Sequence, residues 1–154
     1  MQTVFPSGQR ASLWRQLAAM LYDSFLLLAC IILLGFVFFF ANGREAILPD
    51  DPLRHVLRVA IGATSLLFYA YFWSRQSQTL GMRAWRLVVV DDEGHSPSFA
   101  RACLRWLMAL VTLLPLGFGL WWRLFDGEGR TLYDRLSDTH LFMLKENPYK
   151  QVSP

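Results

Sequence analysis

Leu17 to Ala41 forms a run of 25 residues broken only by Tyr22, Asp23, Ser24 and Gly35. About twenty apolar residues cross a hydrocarbon core of roughly 30 Å, so this run restricts the chain to a membrane helix or a secretion signal. A cleaved signal would use Arg10 and Arg15 as its basic end. The run is too long for that, it contains an acid, and no A-x-A site follows Phe40. It reads as a span over about 17–41, closed by Asn42-Gly43, residues that tolerate left-handed backbone.

A second start follows at once. Asp50 or Asp51 can cap a helix whose first residue is Pro52. Val56 to Trp73 is apolar apart from Arg58, Thr64 and Ser65, which predicts a second helix over about 53–73. Ser96 followed by Pro97 repeats the cap-and-proline pattern and predicts a third helix over about 97–122. That helix carries Pro115, Gly117 and Gly119, so a bend or re-entrant turn is expected near 115–119. Between the helices, Ala84 to Val90 followed by Asp91-Asp92-Glu93-Gly94 has the pattern of a strand and turn. Thr139 to Lys145 has a second strand-like pattern.

Counting Lys and Arg separates two topologies. If 106–122 crosses once, seven basic residues lie on the N-terminal side and eight on the other, which orients nothing. If the segment turns back, the count becomes twelve against three, a strong positive-inside bias. A returning chain also lets the two strand-like pieces pair, which a lone strand with open backbone groups requires. The expected fold is therefore an all-α membrane protein, a transmembrane helical bundle with a small cytoplasmic strand pair. Residues 1–16 are expected to form a cytoplasmic N-terminal segment, 10–145 the membrane domain and 146–154 a polar tail.

Composition agrees. The apolar set reaches 54% even without glycine, above the usual soluble range of about 45–50%. The net charge of +3 is explained by cytoplasmic arginines, and no basic motif points to nucleic acid. Cys30 and Cys103 read as small packing residues. His55, His95 and His140 lack metal-ligand spacing, and Asp91, Asp92 and Glu93 beside a glycine read as a solvated turn. No metal or cofactor site is predicted. Trp14, Trp73, Trp106, Trp121 and Trp122 lie near predicted helix ends, where interfacial anchoring accounts for them.

Asp23 is the position a plain anchor does not need. It lies six residues beyond Leu17, about 9 Å along the helix. An aspartate at the centre of a membrane helix costs roughly 2.5–3.5 kcal/mol on insertion scales, so it must face protein or water, pair, or be protonated. Arg15 lies two turns earlier, about 12 Å along the axis. Arg15, Ala19 and Asp23 share a face, but a group from another segment must bridge the two charges.

Here a resemblance becomes specific. Arg15 and Asp23 in RASLWRQLAAMLYDSFLL resemble the first two signature residues of the RDD family of membrane proteins. QTLGMRAWRLVVVDDEGHSPSFARACLRW is similar to the family's middle section, and RTLYDRLSDTHLF to its C-terminal block. The match places the second signature aspartate at Asp134. Tyr133 departs from the pattern, where histidine is common, as does Ser137-Asp138, where small residues are common. The resemblance implies a multi-pass protein of the bacterial inner membrane with a polar cluster of Arg15, Asp23 and Asp134, and transport or sodium–proton exchange has been suggested for some members. Two functions stand beside each other. One is a transporter or transport-associated subunit for protons, cations or small solutes, in which the cluster relays an ion. The other is a non-catalytic membrane accessory in which the cluster is structural. The sequence holds no nucleophile–base pair or phosphate-cradling loop, so no enzyme is expected. The partners expected are the lipid bilayer and either a second copy of the chain or another membrane protein.

Overall fold

The computed structural model describes residues 9–144; the expected tail, 146–154, and Lys145 lie outside them. Two helices dominate. α1 spans Leu13–Ala41 and α2 spans Leu53–Gln76. Both are long and apolar enough to cross a membrane.

α1 starts four residues earlier than the apolar run, because Ser12 caps it by accepting from the Arg15 N–H. It ends where Gly43 and Arg44 both take positive φ. At 29 residues it is about 43 Å long, more than a bilayer core needs, so one end is free to pack against protein. α2 begins where Asp51 Oδ1 accepts the Leu53 N–H at 2.8 Å, with Pro52 immediately before it. It stops at Ser77, whose φ of 56° breaks the helix while its N–H still bonds the Trp73 carbonyl.

The loop after α2 builds a cap. Thr79 caps a short helix, α3 (Leu80–Ala84), which ends on the first residue of the expected strand. The strand β2 therefore starts only at Leu87 and runs to Asp91. It pairs antiparallel with β3, Thr139–Met143, in a ladder from Leu87↔Met143 to Asp91↔Thr139. A two-residue strand, β1 (Gln9–Arg10), adds to the far edge of β3, giving the order β1-β3-β2. Alternation divides β2 between two packed faces. Leu87 and Val89 join Trp73, Ala70, Met82 and Ala102 in the core against the helices, while Val88 and Val90 pack with Leu144 and Phe142. Each fully buried Val or Leu contributes roughly 1.5–3 kcal/mol, and this sheet is where such residues concentrate.

α4 spans Phe99–Leu113. Its cap is Ser98, which accepts the Arg101 N–H, and not Ser96; the Ser96 hydroxyl instead pairs with that of Ser77. After Leu113 the chain turns through Leu116 and Gly117, both at positive φ, into α5 (Phe118–Trp121) and a 3-10 turn over Trp122–Leu124. The two parts are bent by 105°. Gly119 lies so close to α4 that a Cβ there would stand 2.6 Å from Thr112 Cβ. One glycine makes the turn and the other lets the arms touch. α6 (Leu132–Leu136) then leads into β3, so the chain leaves the sheet at Asp91 and rejoins it beside the same residue.

Candidate functional site

The polar residues lie where the cap meets the helices, in two groups. The first is built on Asp23, 2% exposed. Its Oδ1 accepts the Gly81 N–H at 2.8 Å and its Oδ2 accepts the Thr79 hydroxyl. Thr79 Oγ1 also accepts the Met82 N–H at 3.2 Å, so one threonine caps α3 and fastens it to α1. A side chain at Gly81 is excluded: its Cβ would overlap the Ala19 carbonyl oxygen and lie 2.9 Å from Asp23 Oδ1. The small Ala19 therefore marks the seat of α3. Asp23 is buried in protein and not in lipid, which removes most of the insertion penalty the sequence implied.

The second group is built on Asp134, also 2% exposed. Arg105 pairs with its Oδ1 and donates to Thr139 Oγ1 as well. Oδ2 accepts the Thr131 N–H at 3.1 Å, and Thr131 Oγ1 accepts the Asp134 N–H at 3.2 Å. The aspartate thus completes a capping box for α6 while neutralising a buried arginine. That guanidinium lies over the Trp73 ring at 5.0 Å and the Tyr133 ring at 5.1 Å, positions favourable for a cation. Ser137, another departure from the family pattern, is satisfied by the Tyr133 carbonyl at 2.6 Å and the Thr139 hydroxyl at 2.9 Å.

Tyr133 links this group to the N-terminus of α1. Its hydroxyl accepts from the Gln16 amide, whose oxygen accepts from Arg123 at 2.6 Å; Arg123 also reaches the Ala11 carbonyl. Burial, and then the charge of Asp134, push the Tyr133 phenol up to about 12. It stays neutral at physiological pH and serves as a hydrogen-bonding wedge.

The expected grouping of Arg15, Asp23 and Asp134 is therefore not what the fold builds. Arg15 is half-buried, and its guanidinium lies 2.9 Å from Met143 Sδ. Among the described residues it pairs with neither aspartate. Its face of α1 carries β3, whereas Asp134 is held beside α4, so Arg105 takes the pairing assigned to Arg15. Sequence reasoning gave Arg105 no part in the cluster. It missed Thr79, Gly81, Gln16 and Arg123 altogether. Ala19 was the nearest signal, a small residue between two charged ones. Trp73 is also reassigned: it is buried beneath Arg105, while Trp14 and Trp121 are exposed as anchors would be.

At the sheet's turn, Asp91, Glu93 and His95 could present ligand atoms within 4.8 Å of one another. Asp91 Oδ1 is already engaged by the Glu93 and His95 N–H groups at 3.1 and 2.8 Å, which the turn itself requires. Asp92 holds His140 across the strands, and that hydrogen bond draws its carboxyl below the usual range.

The RDD family model matches residues 10–138, a range that includes α1, both buried aspartates and the bend. No curated protein and no solved structure matches the chain.

Proposed function

The chain belongs to the RDD family of integral membrane proteins, and on that footing we propose that it is a non-catalytic membrane accessory whose arginine and aspartates fasten a folded cap to the spanning helices. The observation that carries this reading is that each buried acid is answered by donors of its own chain. Asp23 holds α3 against α1, and Asp134 holds α6 against α4. A carboxylate saturated in this way is suited to locking elements together. In this reading the cap, the N-terminus and the tail face the cytoplasm of a bacterial inner membrane, supported by the count of twelve basic residues against three. The bent α4–α5 pair then dips into the membrane and returns. Two spans leave much of α1 open to lipid, to a second copy or to a partner membrane protein.

Transport of protons, cations or a small solute is the second reading. It is favoured by one feature: Asp23 borders a cavity between α1, α2 and α4. Flux in proteoliposomes separates the two. The accessory reading expects proton and sodium flux no greater than in protein-free vesicles, with Asp23→Asn lowering thermal stability. An ion flux in the wild type that Asp23→Asn abolishes, in a variant still folded by gel filtration, would sink it and establish the relay.

A further inference from the structure

The same cavity has a feature that neither fastening nor an ion relay uses. It measures about 210 Å³, and most of its wall is apolar, including Met20, Ala109, Leu110 and Leu113. At its polar end stand Trp73 and Arg105, 8% and 2% exposed. Among the described residues, Trp73 Nε1 and Arg105 Nε are both buried N–H donors without a hydrogen-bond partner. A buried donor left unpaired is destabilising, and such groups in native proteins call for an explanation. Both residues line one apolar cavity, and their unpaired N–H groups just behind its wall ask for an acceptor oxygen carried on an apolar body.

Charge restricts the class further. The Arg105 charge is matched by Asp134, and Asp23 borders the same space, so an anionic head would meet an acid and no spare cation. We infer that this cavity binds a neutral, carbonyl-bearing apolar molecule, its oxygen accepting from Trp73 Nε1 and Arg105 Nε. Engineered apolar cavities of about 150 Å³ admit benzene, so this one suits a fused two-ring body or a short acyl segment next to its ester. A side-chain adjustment accompanies binding, since neither nitrogen carries exposed surface. The site does not depend on whether the protein moves an ion.

The test uses the full chain in lipid nanodiscs and two probes of one shape, 1-tetralone and tetralin, which differ by a carbonyl. Titration calorimetry against empty nanodiscs is expected to show saturable 1-tetralone binding about tenfold tighter than tetralin, the ratio expected of a hydrogen bond to a buried donor. Trp73→Phe keeps the ring over Arg105 but removes its N–H, and is expected to shrink that preference several-fold. Ala109→Phe fills the space and is expected to abolish binding. Equal affinity for the two probes, or undiminished binding in Ala109→Phe, would overturn the proposal. If Ala109→Phe does not fold, Trp73→Phe decides: a reduced preference supports the site and an unchanged one refutes it. Mass spectrometry of the detergent-purified protein then separates two sources of the carbonyl. A glycerolipid held one-to-one and displaced by 1-tetralone identifies a bilayer ester; no such lipid, with 1-tetralone still binding, assigns a free carbonyl compound.

Discussion

Gly81→Ala tests the Asp23 clamp directly, because general helix chemistry and this structure predict opposite signs. Within a helix, alanine is ordinarily favoured over glycine by about 0.5–1 kcal/mol. Gly81 lies inside α3, so propensity alone predicts a small gain. The structure predicts a loss, since the new methyl would overlap the Ala19 carbonyl oxygen and press on Asp23 Oδ1 at 2.9 Å. The carbonyl belongs to α1 and cannot swing aside, so α3 must lift. Overpacking of this kind costs typically ~1–3 kcal/mol. Lifting α3 also stretches the Gly81 N–H and Thr79 hydroxyl bonds to a carboxylate that is 2% exposed. Hydrogen bonds to charged groups are worth ~1.5–3 kcal/mol each. These effects share one displacement and do not add fully, so the net loss is about 3 kcal/mol, or roughly a 10 °C lower midpoint for a chain of this size. Thermal unfolding of the detergent-solubilised protein, followed by tryptophan fluorescence at one scan rate, measures it. A midpoint unchanged or raised in Gly81→Ala would refute the close seating of α3 on α1. In the Gly81→Ala background Asp23→Ala should cost less than it does alone, because the bonds it removes are already stretched; fully additive losses would separate the two residues.

Arg105→Met leaves Asp134 buried without its cation, and breaking a buried pair from one side costs about 3–5 kcal/mol; adding Asp134→Leu should restore much of it, and equal instability in single and double variants would argue against the pairing. Arg15→Ala should cost less than about 1 kcal/mol, in the range of partly exposed substitutions, since its described partner is a thioether; a loss as large as that of Arg105→Met would return Arg15 to the centre of the site. Asp126 is held below the ordinary carboxylate range, first by the Arg130 N–H and then by Arg135. A lowered folded value means that its stabilisation is present above the unfolded value and lost as pH falls through the folded one. The unfolding midpoint should therefore fall on acidification below about pH 4, and less steeply in Asp126→Asn; parallel pH profiles for the two proteins would exclude this contribution.

The features readable in the sequence were local ones. Helix starts were legible because caps and prolines act over three or four residues, although Ser98 displaced Ser96 when the Ser96 hydroxyl found Ser77. The bend near Gly117 was legible because the chain must adopt positive φ there. The pairing of β2 with β3 was inferred from charge balance and from the needs of an unpaired strand, and the ladder joins them residue by residue. What the sequence could not assign was partnership between distant residues. Spacing along α1 brought Arg15 and Asp23 to one face, yet the fold covers that face with α3 near Asp23 and with β3 near Arg15. Asp134 pairs instead with an arginine 29 residues earlier, chosen by where α4 and α6 cross. The 25-residue run by itself determined that the chain enters a membrane, since hydrocarbon accepts few alternatives to a helix. Whether its aspartate met lipid, water or protein was decided only in three dimensions, because the Gly81 amide and the Thr79 hydroxyl reach it from an element more than fifty residues away.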